Sequence, residues 1–311
     1  MKLSFVIPCY GSEQTISGVV DEIVQTVAMR PEFDYEIILV NDCSPDKVYS
    51  VIKTLAENNK KIKGINLSKN FGQHAALMAG YRHVSGDIIV CLDDDGQTPA
   101  NEAFLLIDAI TDEQDIVFAK YEKKKHSIFR NMGSAVNEFM LKYLLSKPKD
   151  LTMSSYFACK RFIIDEIIRY ENSYPYIGGL ILRVTKNCGN VFINHRSREV
   201  GSSGYNYLKL LSLWINGFTS FSAKPLRLAT FLGVFSSFVG FIGILVILIR
   251  KLINPDIAAG YSSTMATIML FCGIILLVLG LLGEYVGRMY ISLNNSPQYV
   301  VKGSVNIDED A

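Results

Sequence analysis

Short apolar runs alternate with helical stretches along the first 200 residues of the chain. The runs predicted as strands are residues 3–7, 36–40, 62–67, 87–92 and 115–119. Between them, apolar positions recur at three- and four-residue steps, which predicts helices at 13–28, 47–58, 73–84 and 101–110. Continuous apolar strands separated by helices are typical of a parallel sheet covered on both faces. The predicted fold class is α/β with a mostly parallel central sheet, which binds ligands at the carboxyl ends of its strands.

Two long apolar segments follow near the C-terminus. Residues 228–249 form 22 positions without a charge, and residues 261–283 form 23 more. As helices they would be about 33 and 34 Å long, which matches a hydrocarbon core of roughly 30 Å. Buried helices of a soluble protein are the alternative interpretation, but two such segments in succession favour two transmembrane helices.

Positive charge on either side of these segments predicts their orientation. Five basic residues lie on the side of the chain termini, namely Lys209, Lys224, Arg227, Arg288 and Lys302. Arg250 and Lys251 lie in the short intervening loop. Because positive residues accumulate on the cytoplasmic side, we expect a multi-pass protein of the plasma membrane with both termini and the first domain in the cytoplasm.

A further segment, residues 207–221, has one polar stripe and one apolar face that carries Trp214. This pattern suits a helix lying in the membrane interface, and a buried helix of the soluble domain is the alternative. The predicted organisation is a cytosolic domain at 1–205, an interface region at 206–227, transmembrane helices at 228–250 and 261–287, and a cytosolic tail at 288–311. Glycines at heptad spacing in both spans would allow close helix packing, either within the chain or in a homo-oligomer.

Composition narrows the function classes. The formal net charge is +1, so no basic field points to a nucleic-acid partner. The six cysteines show no paired spacing, which argues against a zinc site or a disulfide framework. Apolar residues make up 49% of the chain, which is an ordinary share. The mean hydropathy of +0.23 is high for a soluble enzyme, and the two C-terminal segments account for this excess.

Carboxylates collect where the predicted strands end. Asp42 follows the second strand, and Asp93, Asp94 and Asp95 follow the fourth. Three consecutive carboxylates at the end of a buried strand repel one another and lose hydration. A hard divalent cation relieves both effects, and Mg²⁺ or Mn²⁺ commonly completes its shell with substrate phosphates. The residues therefore favour a metal site for a nucleotide diphosphate, with a solvated acidic turn capped by Asp95 as the alternative.

Several motifs at these strand ends carry a family resemblance. They read Val-Ile-Pro-Cys-Tyr at 6–10, Val-Asn-Asp-Cys-Ser at 40–44, Leu-Ser-Lys-Asn-Phe-Gly-Gln-His at 67–74 and Leu-Asp-Asp-Asp-Gly-Gln-Thr-Pro at 92–99. Two more read Arg-Glu-Val-Gly-Ser-Ser-Gly-Tyr at 198–205 and Gly-Leu-Leu-Gly-Glu-Tyr-Val-Gly-Arg at 280–288. Together they resemble the family 2 glycosyltransferases, and more narrowly the polyprenyl-phosphate group that includes bactoprenol glucosyltransferases and dolichol-phosphate mannose synthases.

The resemblance implies a GT-A-type nucleotide-diphospho-sugar transferase domain, with a role for each matching residue. Pro8, Tyr10, Asp42, Asp93 and Asp94 would bind the nucleotide, with Asp42 accepting from the base. The implied ligands of Mg²⁺ or Mn²⁺ are Asp93, Asp95 and Gln97, and the implied site for the acceptor phosphate is Arg130, Ser134, Arg198 and Ser203. Asp95 and Arg130 would carry catalysis. Their chemistry agrees with these roles, since an arginine binds phosphate oxygens bidentately.

The chain departs from the family pattern at three places. Gly11-Ser12 replaces an Asn-Glu pair, Gly204 replaces a lysine, and Ser155 stands where the family has an aspartate. The last change leaves the general base unassigned. The expected function is transfer of one sugar from a nucleotide sugar, UDP-linked, to undecaprenyl (polyprenyl) phosphate, with inversion. A membrane-anchored subunit that binds nucleotide sugar without turnover is the alternative, and a processive synthase is disfavoured because its Gln-x-x-Arg-Trp signature is absent.

Overall fold

The computed structural model describes residues 1–121, 147–148, 150–194, 196, 224–253, 260–294 and 296–307. These residues belong to two compact units. Residues Met1–Leu210 and Asn295–Ala311 form the first, here called the sheet unit, and Leu211–Asn294 form the second, here called the hairpin unit. The predicted interface helix at 207–221 and the implied acceptor residues Arg130, Ser134, Arg198 and Ser203 lie outside the described residues.

In the described part of the chain, the sheet unit contains eight strands. They are β1 (Lys2–Cys9), β2 (Asp34–Asn41), β3 (Ile62–Leu67), β4 (Ile88–Cys91), β5 (Ile116–Lys120), β6 (Phe157–Lys160), β7 (Cys188–Phe192) and β8 (Val301–Val305). Their order across the sheet is β7-β5-β6-β4-β1-β2-β3-β8. Strands β6 and β8 pair antiparallel with their neighbours, and the other pairs are parallel. The mostly parallel sheet predicted from the sequence is therefore confirmed.

Helices cover both faces of this sheet. They are α1 (Ile16–Ala28), α2 (Val48–Asn58), α3 (Gln73–Tyr81), a 3-10 turn (Ala100–Glu102) that leads into α4 (Ala103–Asp108), α5 (Arg161–Ile167) and α6 (Ile177–Val184). Alternate residues of β1 face opposite ways, so Phe5 belongs to the core under α1 and α2 while Val6 meets α3. A Cβ at Gly80 of α3 would lie 2.6 Å from Val6 Cγ1, so only glycine permits this close approach.

Three strands were not predicted, and each is short or unusual in pattern. Strand β6 has four residues and inserts antiparallel between β4 and β5. Strand β8 comes from the C-terminal tail and pairs antiparallel with β3 at the sheet edge. Asn306, just after β8, donates from Nδ2 to the carbonyl oxygens of Ala56 and Ile62, and this ties the tail to the end of α2. The tail is thus part of the sheet unit rather than a separate appendage.

Where the structure describes it, the hairpin unit consists of two long helices, α7 (Lys224–Ile253) and α8 (Tyr261–Leu293). Both predicted apolar segments are therefore helical. Among the described residues, one helix is long and apolar enough to cross a membrane, with its window at Leu270–Gly287, whereas the apolar part of α7 is shorter, Gly233–Gly243. A Cβ at Gly240 would lie 4.0 Å from the Phe271 ring, so the two helices contact each other there.

A buried carboxylate secures the edge of the sheet at the amino ends of the strands. Glu36 is 2% exposed and accepts hydrogen bonds from Lys63 Nζ at 2.9 Å, Lys2 Nζ at 3.2 Å and Ser4 Oγ at 2.6 Å. Burial by itself would raise the pKa of Glu36, but these hydrogen bonds and those from Ser85 outweigh it and lower the pKa to about 2. Glu36 therefore stabilises the fold as an anion.

Replacement of Glu36 by glutamine should lower the free energy of unfolding at pH 7 by about 2 kcal/mol, because it removes a charge-assisted network. A depressed pKa contributes stability above the unfolded value of 4.5, and this contribution is lost as the pH falls toward about 2. The difference between wild type and Glu36→Gln should therefore shrink between pH 5 and pH 3 in urea unfolding. Glu57→Gln, at an exposed position of α2, is the control. A difference that is constant with pH would contradict the assignment.

Candidate functional site

The carboxyl ends of β1, β2 and β4 meet at one edge of the sheet and enclose a cavity of about 520 Å³. Its walls are Pro8, Cys9, Tyr10, Asp42, Asn70, Gly72, Gln73, Asp93, Asp94, Asp95, Gln97 and Ser155. Because β1 pairs in parallel with both β2 and β4, the chain segments that leave these strands lie side by side. The predicted location of the site at the carboxyl edge agrees with this cavity.

Tyr10 stands at the end of β1 with its side chain 55% exposed. Its backbone N–H donates to Asp94 Oδ2 at 2.8 Å, so the turn after β1 is fixed to the segment after β4. Gly11 follows with φ of 74°, a left-handed conformation that favours glycine and lets the chain turn toward α1. An exposed aromatic ring held on a fixed backbone can stack on a planar ligand.

Asp42 holds the loop between β3 and α3. It is 4% exposed, and its two carboxylate oxygens accept the backbone N–H groups of Phe71 at 2.7 Å and Gly72 at 2.8 Å. Gly72 has φ of 91°, which lets both amides point back at one carboxylate. Burial raises the pKa of Asp42, and the two amides oppose that shift. The carboxylate therefore shapes the cavity wall that it also lines.

Asp93 receives hydrogen bonds from two side chains on different elements. Gln73 Nε2, at the start of α3, donates to Oδ1 at 3.1 Å, and Ser155 Oγ, in the segment before β6, donates to Oδ2 at 2.6 Å. Both donors are neutral. They orient the carboxylate without cancelling its charge.

The next two carboxylates have different surroundings. Asp94 accepts a hydrogen bond from the backbone N–H of Tyr10. Burial raises the pKa of Asp94 to about 6, and the negative charge of Asp93 contributes a smaller part of this shift. Asp95 Oδ1 accepts the backbone N–H of Gln97 at 3.1 Å across a turn at Gly96. Burial raises the pKa of the nearby Tyr121 phenol, and the charges of Asp93 and Asp95 raise it further, so these two carboxylates converge on one region.

The donor set fits a divalent cation that the substrate completes. Among the described residues no group of three or more His, Cys, Asp and Glu side chains could hold a metal by itself. Asp93, Asp95 and the amide of Gln97 nevertheless line one cavity, and within the described lining no lysine or arginine competes for their charge. Mg²⁺ and Mn²⁺ are often bound by one or two carboxylates, with substrate phosphates and water filling the other positions. The residues present suit that mode of binding.

The structure brings together seven of the residues singled out in the sequence: Pro8, Tyr10, Asp42, Asp93, Asp94, Asp95 and Gln97. Gln73 and Asn70 also line the cavity and were not assigned a role. Both lie in the 67–74 motif, so the motif itself was the available signal. Ser155, weighed only as a missing base, proves to be a hydrogen-bond partner of Asp93.

Comparison with known protein families gives a match in each of the two units of the chain. The family model Glycosyl transferase family 2 matches residues 4–168, and the model GtrB C-terminal hairpin matches residues 224–289. The chain is 30% identical over 312 residues to an uncharacterized glycosyltransferase, YkcC, of Bacillus subtilis, covering 99% of this chain and 95% of the relative. It is 29% identical over 311 residues to an undecaprenyl-phosphate 4-deoxy-4-formamido-L-arabinose transferase of Yersinia pestis, with the same coverage.

Solved structures show the same fold at lower identity. Glucosyl-3-phosphoglycerate synthase from Mycobacterium tuberculosis in complex with UDP superposes with a TM-score of 0.53 at 17% identity, covering 71% of this chain and 78% of that one. The same enzyme with Mn²⁺, UDP-glucose and phosphoglyceric acid superposes with a TM-score of 0.52 at 18% identity, covering 70% and 79%. At this level of identity the likeness supports the GT-A-like architecture.

Asp42→Asn should loosen the loop that carries Phe71 and Gly72, because an amide can accept only one of the two N–H groups and turns its own NH₂ toward the other. We expect a loss of about 1–3 kcal/mol in unfolding free energy, the cost of one unsatisfied buried group. Faster amide hydrogen exchange at residues 71 and 72 is the local measurement. Asp112→Asn, at an exposed position, serves as the control. Unchanged exchange in Asp42→Asn would show that the loop is held by other contacts.

Proposed function

Because the chain belongs to glycosyltransferase family 2, we propose that it transfers a single sugar from a UDP-linked nucleotide sugar to undecaprenyl (polyprenyl) phosphate. The observation that carries this proposal is the acidic cavity at the carboxyl edge, which contains four aspartates and, in its described lining, no basic side chain. A nucleotide diphosphate is itself anionic, so a cation that neutralises both charges would favour its binding in such a cavity. The name of the Yersinia relative supports the polyprenyl acceptor.

The donor would occupy the cavity with its base near Tyr10 and Asp42 and its diphosphate near Asp93 and Asp95. Pro8 and Asp94 would complete the nucleotide site, Pro8 as a wall and Asp94 by fixing the Tyr10 backbone. Asp93, Asp95 and Gln97 would hold Mg²⁺ or Mn²⁺. When bound, the cation supplies neutralisation of the charge that develops on the departing diphosphate.

The acceptor phosphate is assigned to Arg130, Ser134, Arg198 and Ser203 on the family resemblance. The chemistry supports this set, because a guanidinium and a hydroxyl bind a phosphate dianion by charge-assisted hydrogen bonds. The second ionisation of a phosphate monoester lies near pKa ~6, so the acceptor is already deprotonated at neutral pH. An acceptor phosphate oxygen would attack the anomeric carbon as the bond to the diphosphate breaks, which inverts the configuration. No protein base is required, which agrees with a serine at position 155.

The connectivity of the chain supports membrane anchoring by both helices of the hairpin unit. Met1–Leu210, before α7, and Asn295–Ala311, after α8, belong to the same sheet unit, in which β8 pairs with β3. If α8 crosses the membrane alone, β8 and β3 lie on opposite sides and cannot pair. An even number of crossings is therefore needed, and we propose two, with the sheet unit and both termini in the cytoplasm.

Transfer can be tested with membranes that contain the full-length protein, undecaprenyl phosphate and a panel of radiolabelled UDP-sugars and GDP-sugars in Mn²⁺. We expect one donor to label the lipid and excess chelator to abolish the labelling. Asp95→Asn should lower the rate at least tenfold, since it weakens a hard-cation site by one charge. Asp21→Asn, at an exposed position of α1, is the matched control.

Two results would contradict the proposal in different ways. Full transfer in excess chelator would exclude the cation, while the acceptor assignment would stand. Nucleotide-sugar binding without turnover on any polyprenyl phosphate would favour the alternative function, a membrane-anchored binding or assembly subunit.

A reporter fused to each terminus tests the membrane topology. We expect both fusions to give the cytoplasmic signal, active green fluorescent protein, and neither to give the activity of an exported phosphatase. A C-terminal phosphatase that is active would show a single crossing and would contradict the pairing of β8 with β3.

A further inference from the structure

Asp93 stands opposite Ser155 because of the register between β4 and β6. The antiparallel pairs run from Ile88 with Lys160 to Cys91 with Phe157. Continuing this register by two residues brings position 93 against position 155. The hydrogen bond from Ser155 Oγ to Asp93 Oδ2, 2.6 Å long, is therefore built on paired strands.

The other donor to Asp93, Gln73, is held on an equally fixed part of the backbone. Gln73 is the first residue of α3 and directly follows Gly72, whose backbone N–H is held by the buried Asp42. Its Nε2 reaches Asp93 Oδ1 at 3.1 Å. The carboxylate is thus bound on one oxygen from the helix side of the cavity and on the other from the strand side.

We propose that Gln73 and Ser155 are positioning residues that hold Asp93 in the rotamer that receives the cation of the donor substrate. This inference rests on the proposed function. Neutral donors fix the direction of the carboxylate and add no positive charge of their own, whereas a lysine or arginine in either place would compete with the cation. A carboxylate has about four acceptor positions, so two neutral hydrogen bonds are compatible with metal ligation.

The same geometry explains what the serine does at a position where the family has an aspartate. A carboxylate at 155 would face Asp93 in the register and repel it. The hydroxyl instead donates its proton to Asp93. Ser155 therefore serves the donor side of the reaction, and it is not the base for the acceptor.

The test uses the full-length protein in detergent and four variants: Ser155→Ala, which removes the hydroxyl; Ser155→Thr, which keeps it; Gln73→Ala, which removes the other donor to Asp93; and Ser154→Ala, the control. Ser154 Oγ donates to the backbone carbonyl of Tyr156 at 2.8 Å, so Ser154→Ala removes a hydroxyl of the same loop from a local contact. Two quantities are measured: the affinity for Mn²⁺, alone and with UDP, by electron paramagnetic resonance and calorimetry, and the transfer rate at saturating donor and Mn²⁺.

We expect Ser155→Ala to weaken Mn²⁺–UDP binding by about tenfold to hundredfold, the usual effect of losing a residue that orients a metal ligand. Its transfer rate at saturation should stay above about a tenth of the wild-type rate. Ser155→Thr should recover most of the affinity, and Ser154→Ala should match wild type in both measurements. Gln73→Ala should repeat the affinity loss of Ser155→Ala.

Other outcomes would overturn one proposal or both. Unchanged Mn²⁺–UDP affinity in Ser155→Ala, with wild-type transfer, overturns the positioning role alone. Unchanged affinity with abolished transfer also overturns it, because the hydroxyl then acts in the chemical step. If the wild-type protein transfers no sugar but binds Mn²⁺–UDP more tightly than Ser155→Ala, the positioning role is supported and the proposed reaction is overturned. A wild-type protein that neither binds Mn²⁺–UDP nor transfers sugar overturns both.

Discussion

Parallel pairing of β1 with its two neighbours concentrates negative charge, and the rest of the site depends on how that charge is held. The strands deliver Asp42, Asp93, Asp94 and Asp95 to one edge, where each carboxylate loses part of its hydration. Backbone N–H groups donate hydrogen bonds to Asp42, Asp94 and Asp95, and neutral side chains donate hydrogen bonds to Asp93. Apart from the Asp95–Gln97 contact, which closes a single turn, these contacts also tie one loop to another, so the shape of the cavity follows from the hydrogen bonds to its carboxylates.

The opposite edge of the same sheet shows the contrast between a structural and a functional carboxylate. Glu36 is accompanied by two lysines, which satisfy its charge within the protein. The described lining of the cavity at the carboxyl edge holds four aspartates and is made otherwise of neutral residues. The fold thus places two lysines directly on the structural carboxylate, whereas the described contacts of the cavity aspartates come from neutral donors.

The sequence predicted the parts of the fold that depend on local pattern. Continuous apolar runs gave the first five strands to within two residues at each end, and the aspartates after them located the cavity edge. Strands β6, β7 and β8 were not predicted, because they lie outside the regular alternation of strands and helices in the first 120 residues and each pairs with a strand distant in the chain. The same limit applies to Ser155: nothing near it in sequence indicates a carboxylate, and only the register of β6 with β4 places it against Asp93. Contacts between residues that are far apart in the sequence leave no pattern in the sequence around either residue.

Strand β8 also sets an order of events during synthesis. Roughly 230 residues separate β3 from β8, so at about 5–20 residues per second the edge of β3 lacks its partner for roughly 10–50 s. An unpaired strand edge is open to pairing with other chains. Both long helices emerge from the ribosome within that interval, before the strand that completes the sheet. The nascent protein therefore has to deliver its apolar hairpin first, and its sheet can be completed only afterwards, when β8 reaches the edge of β3.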